Sequence, residues 1–318
     1  MKLSVVIPVL NEERNIHELV RRLWTVLEPS VAFEIIFVND GSIDGTAELL
    51  RKLHDQDKRI KSVHLARNFG HQAAISAGLR AACGEAVVLM DGDLQDAPEL
   101  IPEFLQKWQE GYQVVFAVRK RRRAHWVKRI AYRTFYRVLR AISNIDIPLD
   151  SGDFSLIDRR VVDIVNAMPE RTRFVRGMRS WAGFRQVGVE VVRDPRYAGT
   201  PKYTFRRLLR LALDGLFSFS YRPLQLASLF GLAISGLAII LAVGLILLKV
   251  LHGIPLLGWT SLMVTVLFLG GIQLISLGII GEYVGRIYDE ARGRPTYVVG
   301  SIVGETRLDP GDGEVGER

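Results

Sequence analysis

The chain of 318 residues contains a single cysteine, Cys83. One thiol allows neither an intramolecular disulfide nor a zinc site built from cysteines. Cys83 lies among small residues, so we expect a buried and unreactive side chain that takes no part in chemistry. The start of the chain also lacks the long apolar core and the cleavage site of a signal peptide.

Two glycine-rich phosphate-binding motifs are also missing. No G-x-G-x-x-G turn follows the first apolar segment, and G-x-x-x-x-G-K-[ST] does not occur. These absences argue against a dinucleotide-dependent dehydrogenase and against a P-loop ATPase. Any phosphate binding must therefore come from a metal ion and cationic side chains.

Charge is missing from two long stretches in the last third of the chain. The first, about 26 residues between Arg222 and Lys249, exceeds the roughly 20 needed to cross a bilayer. The second runs from the connector at 252–255 to Glu282. They predict two transmembrane helices within residues 223–285. A pair of buried helices in a soluble protein is the alternative.

The flanks of these stretches differ in charge. The connector carries almost none, whereas arginines flank the outer ends: Arg206, Arg207, Arg210, Arg222, Arg286, Arg292 and Arg294. By the positive-inside rule, both termini would face the cytoplasm and the connector would face out. Trp259 and Tyr283 suit the interfacial belts. We therefore expect a multi-pass protein of the cell (inner) membrane.

Positive charge is in excess, with 42 Lys+Arg against 34 Asp+Glu. This excess favours anionic partners such as nucleic acid, phosphorylated substrates or anionic lipid. Basic residues concentrate at 119–140, interleaved with aromatic and aliphatic residues at helical spacing. The pattern is typical of a helix on a membrane surface. Single-strand nucleic acid binding and a solvated face are the alternatives. Residues 204–222 predict a second basic amphipathic helix after a cationic loop.

The first 203 residues alternate strand-like apolar runs with helical patterns. Strands are predicted at Leu3–Val9, Phe33–Val38, Val63–Leu65, the run ending at Asp91, and Val114–Val118. Helices are predicted at 16–27, at 47–53 and in the small-residue segment that ends at Ala82. Residues 174–192 are strand-like. This alternation predicts βαβ units, a mainly parallel sheet and the α/β fold class.

The fourth predicted strand leads directly into Asp91-Gly92-Asp93-Leu94-Gln95-Asp96. In open α/β sheets, ligands bind beyond the carboxyl ends of the strands. The oxygens of Asp91, Asp93 and Gln95 suit a hard divalent cation that also binds substrate phosphates. Taken alone, D-x-D is equally compatible with a turn that closes the strand.

Five motifs occur in one order along the chain: Pro8-Val9-Leu10-Asn11-Glu12-Glu13, Asn39-Asp40-Gly41-Ser42-x-Asp44-Gly45-Thr46, Arg67-Asn68-Phe69-Gly70, Asp91 to Asp96, and Ser151-Gly152-Asp153-Phe154. Together they closely resemble the GT-A glycosyltransferases of family 2. Within that family the chain looks like the polyprenyl-phosphate glycosyltransferases, the group of dolichol-phosphate mannosyltransferase and bactoprenol glucosyltransferase. The resemblance covers about residues 1–295.

The resemblance implies a domain plan and a reaction. A cytoplasmic GT-A catalytic domain would span 1–203, a juxtamembrane helix 204–222, two transmembrane helices 223–285, and a cytoplasmic tail 286–318 that is largely disordered at its end. The enzyme would transfer a hexose with inversion from a UDP- or GDP-linked sugar, UDP-glucose being favoured, to a membrane polyprenyl phosphate. The product would serve later glycosylation of the cell envelope.

The resemblance also implies roles for individual residues. Nucleotide-sugar binding falls to Pro8, Glu12, Asp40, Asp91 and Arg119. Mg²⁺ or Mn²⁺ would be held by Asp91, Asp93 and Gln95. Asp153 and Asp93 would be catalytic, and we expect Asp153 to orient the acceptor at least as much as it takes a proton. Candidates for binding the lipid phosphate are Arg129, Arg133, Arg196 and Lys202. Related loops often carry Ser at position 201, where this chain has Pro.

Three other functions compete with this one. A processive polysaccharide synthase would carry Q-x-x-R-W and more membrane helices, whereas 176–181 lacks that spacing. A catalytically silent membrane scaffold could keep the same fold, but an intact acidic set speaks against it. A nucleic-acid binder leaves that set unexplained, so we expect no nucleic-acid partner. Small residues in the second span would permit close helix packing and a possible homo-oligomer.

Overall fold

The computed structural model describes residues 2–119, 151–171, 173–191, 222–252 and 258–308. These residues divide into two compact units. The first contains 2–119, 151–171, 173–191 and 293–308, and the second contains 222–252 and 258–292.

The first unit alternates strands and helices, as the sequence predicts. The strands are β1 Lys2–Val9, β2 Ala32–Asn39, β3 Ile60–Leu65, β4 Ala86–Leu89, β5 Val114–Arg119, β6 Ser151–Asp158, β7 Gln186–Val191 and β8 Val299–Val303. The helices are α1 Glu13–Leu27, α2 Thr46–Gln56, α3 His71–Ala81, α4 Ile101–Gln109, α5 Arg159–Ala167 and α6 Val175–Trp181. A single 3₁₀ turn, Pro98–Leu100, precedes α4.

All eight strands form one sheet in the order β7-β5-β6-β4-β1-β2-β3-β8. Strands β1 to β4 are mutually parallel, and β5 is parallel to β7. Only β6 and β8 run antiparallel to their neighbours. The α/β class and the mainly parallel sheet are confirmed. The ends of β1, β2, β4 and β5 therefore share one edge of the sheet with the start of β6.

Both faces of the sheet are covered by helices, which explains why its strands are apolar on both sides. Helices α1, α2 and α4 pack on one face, and α3, α5 and α6 pack on the other. Helix α3 lies very close to β1, since a β-carbon at Gly78 would overlap the side chain of Val6. This close contact holds α3 against the sheet.

Two predicted features of the first unit need correction. The strand expected over 174–192 is wrong in its first half, which forms α6. The buried residues Val175, Met178 and Arg179 recur at helical spacing, and only 186–191 is a strand. The sequence pattern also did not predict β8, which pairs with β3 after the second apolar stretch.

The second unit consists of two long helices, α7 Arg222–His252 and α8 Trp259–Ala291. Among the described residues, one segment is long and apolar enough to cross a membrane, Leu262–Ala291. A shorter apolar stretch covers Ala227–Leu241. Many large apolar side chains of both helices are exposed, among them Phe230, Ile240 and Phe268.

A buried carboxylate joins the strands at the other edge of the sheet, where β1, β2 and β3 begin. Glu34 on β2 accepts hydrogen bonds from Ser4 Oγ at 2.6 Å, the Cys83 N–H at 2.8 Å and Lys61 Nζ at 2.9 Å, and it pairs with Lys2 Nζ at 2.8 Å. Burial alone would raise the pKa of Glu34, but these donors lower it from 4.5 to about 2. The ionised carboxylate therefore ties three neighbouring segments together.

We predict that Glu34→Gln destabilises the first unit on the order of 3 kcal/mol at pH 7, because it leaves two lysines without their charge partner. The folded pKa lies below the unfolded value, so this stabilisation is complete above pH 4.5 and is lost as the pH falls towards 2. Thermal unfolding in detergent from pH 7 to 3 measures both effects. Glu48→Gln, an exposed helix position, is the control; superimposable curves for Glu34→Gln and wild type would contradict the prediction.

Candidate functional site

The predicted motifs converge at one edge of the sheet. Asp40 follows β2, Asp91 follows β4 after one residue, and Asp153 lies near the start of β6. Since β6 is antiparallel to β4, with Ser155 opposite Leu89, its start lies beside the end of β4. Asp91 and Asp153 thus line one pocket, together with Gln95, Asp96, Gly152 and Phe154.

The turn after β4 packs so closely against β1 that its central position requires glycine. Gly92 is buried, and a β-carbon there would lie 2.9 Å from Val9 Cγ1 of β1. Asp93 Oδ1 accepts the Gln95 N–H at 3.1 Å, and Leu94 adopts a left-handed φ of 61°. Asp91 and Asp93 therefore flank a fixed turn, and both are half-buried.

The donor set of this turn fits a hard divalent cation. It offers the carboxylate oxygens of Asp91 and Asp93 and the amide oxygen of Gln95. Within the described part of the chain, no group of three or more His, Cys, Asp or Glu residues is arranged to hold a metal ion. Mg²⁺ commonly takes only one or two carboxylates and completes its shell with substrate phosphates and water. The turn suits that shared mode of binding.

Asp153 forms a bidentate ion pair with Arg176. Arg176 on α6 donates from Nε to Oδ1 at 2.8 Å and from Nη2 to Oδ2 at 3.1 Å. Burial would raise the pKa of the Asp153 carboxyl, but His71 and Arg176 outweigh burial and hold that pKa well below its usual range. Asp153 is therefore a persistent carboxylate and a weak proton acceptor at neutral pH.

His71 was not assigned a role from the sequence, yet its ring lies close to the carboxylates of both Asp91 and Asp153. Its Nε2 is 3.6 Å from Asp91 Oδ1 and 3.5 Å from Asp153 Oδ2. Burial lowers the pKa of the ring, but the two carboxylates outweigh burial, so the pKa is raised. The only sequence signal was its place directly after Arg67-Asn68-Phe69-Gly70, at the start of a helix.

Arg179 is a second residue that the sequence did not mark. It is fully buried one helical turn after Arg176, and it donates to Ser155 Oγ at 2.6 Å and to the Gly152 carbonyl at 3.2 Å. Burial lowers its pKa to about 10, so it remains charged. It fixes the strand that carries Asp153.

The loops after β1 and β2 interlock through hydrogen bonds. Asn11, Glu12 and Glu13 donate from their backbone to the loop after β2, at Ser42, Thr46 and Asp44 respectively. In return the Ile43 N–H donates to Asn11 Oδ1 at 2.9 Å, and the Gly45 N–H to Glu13 Oε2 at 3.1 Å. Glu12 Oε2 accepts from Asn15 at 2.6 Å, and Pro8 is buried in β1. Much of these two motifs therefore serves to join the loops.

Asp40 supports the loop that precedes α3. Its two carboxylate oxygens accept the backbone N–H of Phe69 at 2.7 Å and of Gly70 at 3.0 Å. Burial raises the pKa of this carboxyl, partly offset by the two N–H donors. Gly41 lies against the same loop, since a β-carbon there would be 2.5 Å from the Asn68 nitrogen.

Several predicted site residues cannot be placed. Arg129, Arg133, Arg196 and Lys202 lie outside the described residues, as does the predicted helix at 204–222 except for Arg222, which begins α7. Arg119 ends β5 beside the start of β6, but only its backbone is described.

Comparison with known proteins agrees with the motifs. The family described as "Glycosyl transferase family 2" matches residues 4–165. A glycosyltransferase of Bacillus subtilis strain 168, YkcC, described as uncharacterised, is 48% identical over 93% of this chain and 92% of its own. A prophage bactoprenol glucosyl transferase homolog of Escherichia coli strain K12 is 41% identical over 94% of this chain and 98% of its own.

Solved structures resemble the chain more distantly. The mannosyltransferase PcManGT from Pyrobaculum calidifontis, solved in complex with GDP-Man and Mn²⁺, is 21% identical with a TM-score of 0.49, over 68% of this chain and 63% of its own. The family match spans half of the chain, and the sequence relatives span nearly all of it. The chain is therefore a glycosyltransferase and belongs to glycosyl transferase family 2.

Proposed function

We propose that this glycosyltransferase moves a hexose from a nucleotide sugar, with UDP-glucose favoured, to a polyprenyl phosphate at the cytoplasmic face of the cell membrane. The observation that carries the proposal is the shared pocket, in which Asp91 of the D-x-D turn faces Asp153 of β6. The names of relatives such as the prophage bactoprenol glucosyl transferase homolog support the acceptor and the sugar.

The donor would lie over the ends of β1, β2 and β4. Pro8, Glu12 and Asp40 would contact the base and ribose, and Asp91, Asp93 and Gln95 would hold Mg²⁺ or Mn²⁺ against the diphosphate. Such an ion stabilises the negative charge that develops on the leaving nucleoside diphosphate, and electrostatic stabilisation of this kind is often the largest catalytic contribution. Arg119, at the end of β5, is suited to bind the same diphosphate.

The acceptor would approach from the side of Asp153. A phosphate monoester is largely ionised at neutral pH because its second pKa is about 6, so attack needs little help from a base. The low pKa of Asp153 and its bidentate contact with Arg176 support an orienting role. Arg129, Arg133, Arg196 and Lys202 would bind the lipid phosphate. A single in-line displacement would invert the anomeric centre.

Chain connectivity supports a two-helix membrane hairpin. Strands β7 and β8, which precede α7 and follow α8, belong to the same sheet. Both flanks of the helix pair must therefore lie on one side of a membrane, which favours an even number of crossings. With the arginine-rich flanks, this favours a cytoplasmic catalytic unit and an outward-facing connector.

We expect label from one nucleotide sugar only to enter the organic phase when the detergent-solubilised enzyme is given polyprenyl phosphate and Mn²⁺. EDTA should abolish transfer, and Asp93→Asn should lower its rate about a hundredfold or more, because the leaving diphosphate loses its charge stabilisation. Asp55→Asn, on the exposed face of α2, is the matched control. A polymer in place of a lipid-linked monosaccharide, or no transfer from any donor, would contradict the proposal.

Replacing Asp153 by Asn should lower kcat roughly a hundredfold or more and raise the KM for polyprenyl phosphate, since the carboxylate that Arg176 and His71 contact is lost. Binding of UDP should change little. Asp163→Asn, an exposed aspartate on α5, controls for loss of charge alone. Near-full turnover of Asp153→Asn with an unchanged acceptor KM would rule out both a basic and an orienting role.

Membrane topology can be tested with single cysteines in a Cys83→Ser background. Cysteine at Gly253, in the connector, should react with an impermeant maleimide on intact cells because it would face outward. Cysteine at Glu305, an exposed position after β8, should react only after the membrane is opened. Labelling of Glu305→Cys on intact cells would contradict the cytoplasmic placement of the catalytic unit.

A further inference from the structure

A buried histidine on β3 has no part in the function described so far. His64 lies opposite Asn39 in the register of β2 and β3, and Ser62 lies two positions earlier on the same face of β3. The Nδ1 of His64 is 3.1 Å from Asn39 Nδ2, and its Nε2 is 2.9 Å from Ser62 Oγ. All three side chains are buried. Such a polar cluster inside a sheet is costly unless its hydrogen bonds are made.

The loop after β2 decides where this imidazole carries its hydrogen. The Ser42 N–H donates to Asn39 Oδ1 at 2.9 Å, so the amide turns its nitrogen, which only donates, towards His64. The Nδ1 of His64 must therefore accept. Burial and the charge of Arg51 lower the pKa of His64 to about 4, so the ring is neutral at pH 7. Its one hydrogen is on Nε2, which donates to Ser62 Oγ.

From Asn39 the hydrogen bonds continue into the loops after β1 and β2. Ser42 Oγ accepts the Asn11 N–H at 2.9 Å. Asn11 has a left-handed φ of 58°, a conformation that is uncommon for residues other than glycine and needs such support. These two loops carry Glu12 and Asp40, which the proposed function assigns to the base and ribose of the donor.

An apolar side chain at position 64 would fill the same space but would not do the same work. It would leave Nδ2 of Asn39 buried without an acceptor, which is more costly than the loss of both partners. The amide would then rotate to find another acceptor and would release the Ser42 N–H. The imidazole therefore determines how the amide of Asn39 is turned.

We propose that His64 is a positioning residue for the nucleotide: its Nδ1 fixes the amide of Asn39, and that amide fixes the loops on which Glu12 and Asp40 lie. The inference rests on the proposed function, in which these loops bind the nucleotide sugar. Because His64 acts through the loops and not on the reacting atoms, its main effect is on affinity for the nucleotide and not on the transfer step.

The test uses the full-length enzyme with His64→Leu, His64→Asn and His64→Gln. The amide oxygen of Asn can take the place of Nδ1, whereas the longer Gln brings its amide nearer to the place of Nε2. His54→Leu is the matched control, since Nδ1 of His54 lies 2.6 Å from the Ile60 carbonyl oxygen at the other end of β3. The Kd of UDP and of GDP with Mn²⁺ by calorimetry, the kcat for sugar transfer and the thermal unfolding midpoint are measured for each.

We expect His64→Leu to raise the Kd of the nucleotide about tenfold, the effect of one lost hydrogen bond, while kcat at saturating donor stays within about threefold. His64→Asn should recover most of the affinity, and His64→Gln should recover less. His54→Leu should leave the Kd within about twofold of wild type, whatever its unfolding midpoint.

The place of the hydrogen gives a second readout, which general destabilisation would not change. Nitrogen-15 NMR of the enzyme labelled in histidine should show His64 as the neutral tautomer with its hydrogen on Nε2; its signals are those missing from His64→Asn. Asn39→Asp presents only acceptors to the ring, so in that variant Nδ1 should carry a hydrogen.

Three outcomes would overturn the inference. The first is a hydrogen on Nδ1 in the wild type. The second is an unchanged nucleotide Kd for His64→Leu. The third is an equal loss of affinity in all three His64 variants that follows the unfolding midpoint, which marks a merely structural role. A wild type that binds neither UDP nor GDP would instead refute the proposed function, and the inference with it.

Discussion

The antiparallel pairing of β6 with β4 is the constraint on which the site depends. In a sheet whose other central strands are parallel, a reversed strand brings its first residues, and not its last, to the edge where ligands bind. Asp153 therefore meets Asp91 although 62 positions separate them in the numbering (153 − 91). The register, with Leu89 opposite Ser155, keeps the two carboxylates at the same level. A parallel β6 would have carried Asp153 to the far edge.

Asp91 and Asp153 can lie close together because basic side chains of α6 stabilise the strand that carries Asp153. Arg176 and Arg179 extend from one short helix, one to the carboxylate and one to the backbone and hydroxyl of the same strand. A buried cation is costly unless it is paired or hydrogen-bonded. Arg179 receives part of its compensation from Ser155 and from the ring of Phe116, whose centroid lies 5.5 Å away. The geometry of Asp153 is thus a property of α6 as much as of β6.

The sequence was informative where chemistry and periodicity coincide. Apolar runs that end in Asp40 and Asp91 located two strands and one edge, because buried parallel strands are continuous in their apolar character. It was uninformative where a residue acts through a distant contact. Nothing near His71 shows that Asp91 and Asp153 approach it, and nothing near Arg179 shows that its partner is a strand carbonyl. Helix α6 was misread because Val, Phe and Trp residues favour strands by composition, whereas tertiary burial selected the helical spacing.

Strand β8 has a consequence for the order in which the molecule is made. The outer edge of β3 is covered by chain that follows α8, so the eight-stranded sheet stays incomplete until the residues beyond α8 have left the ribosome. Domains generally fold from the N-terminus during synthesis, and an uncovered edge strand invites wrong partners. Here the last strand arrives only after both long helices have been synthesised. Completion of the catalytic sheet is therefore delayed until the helices that would enter the membrane have been made.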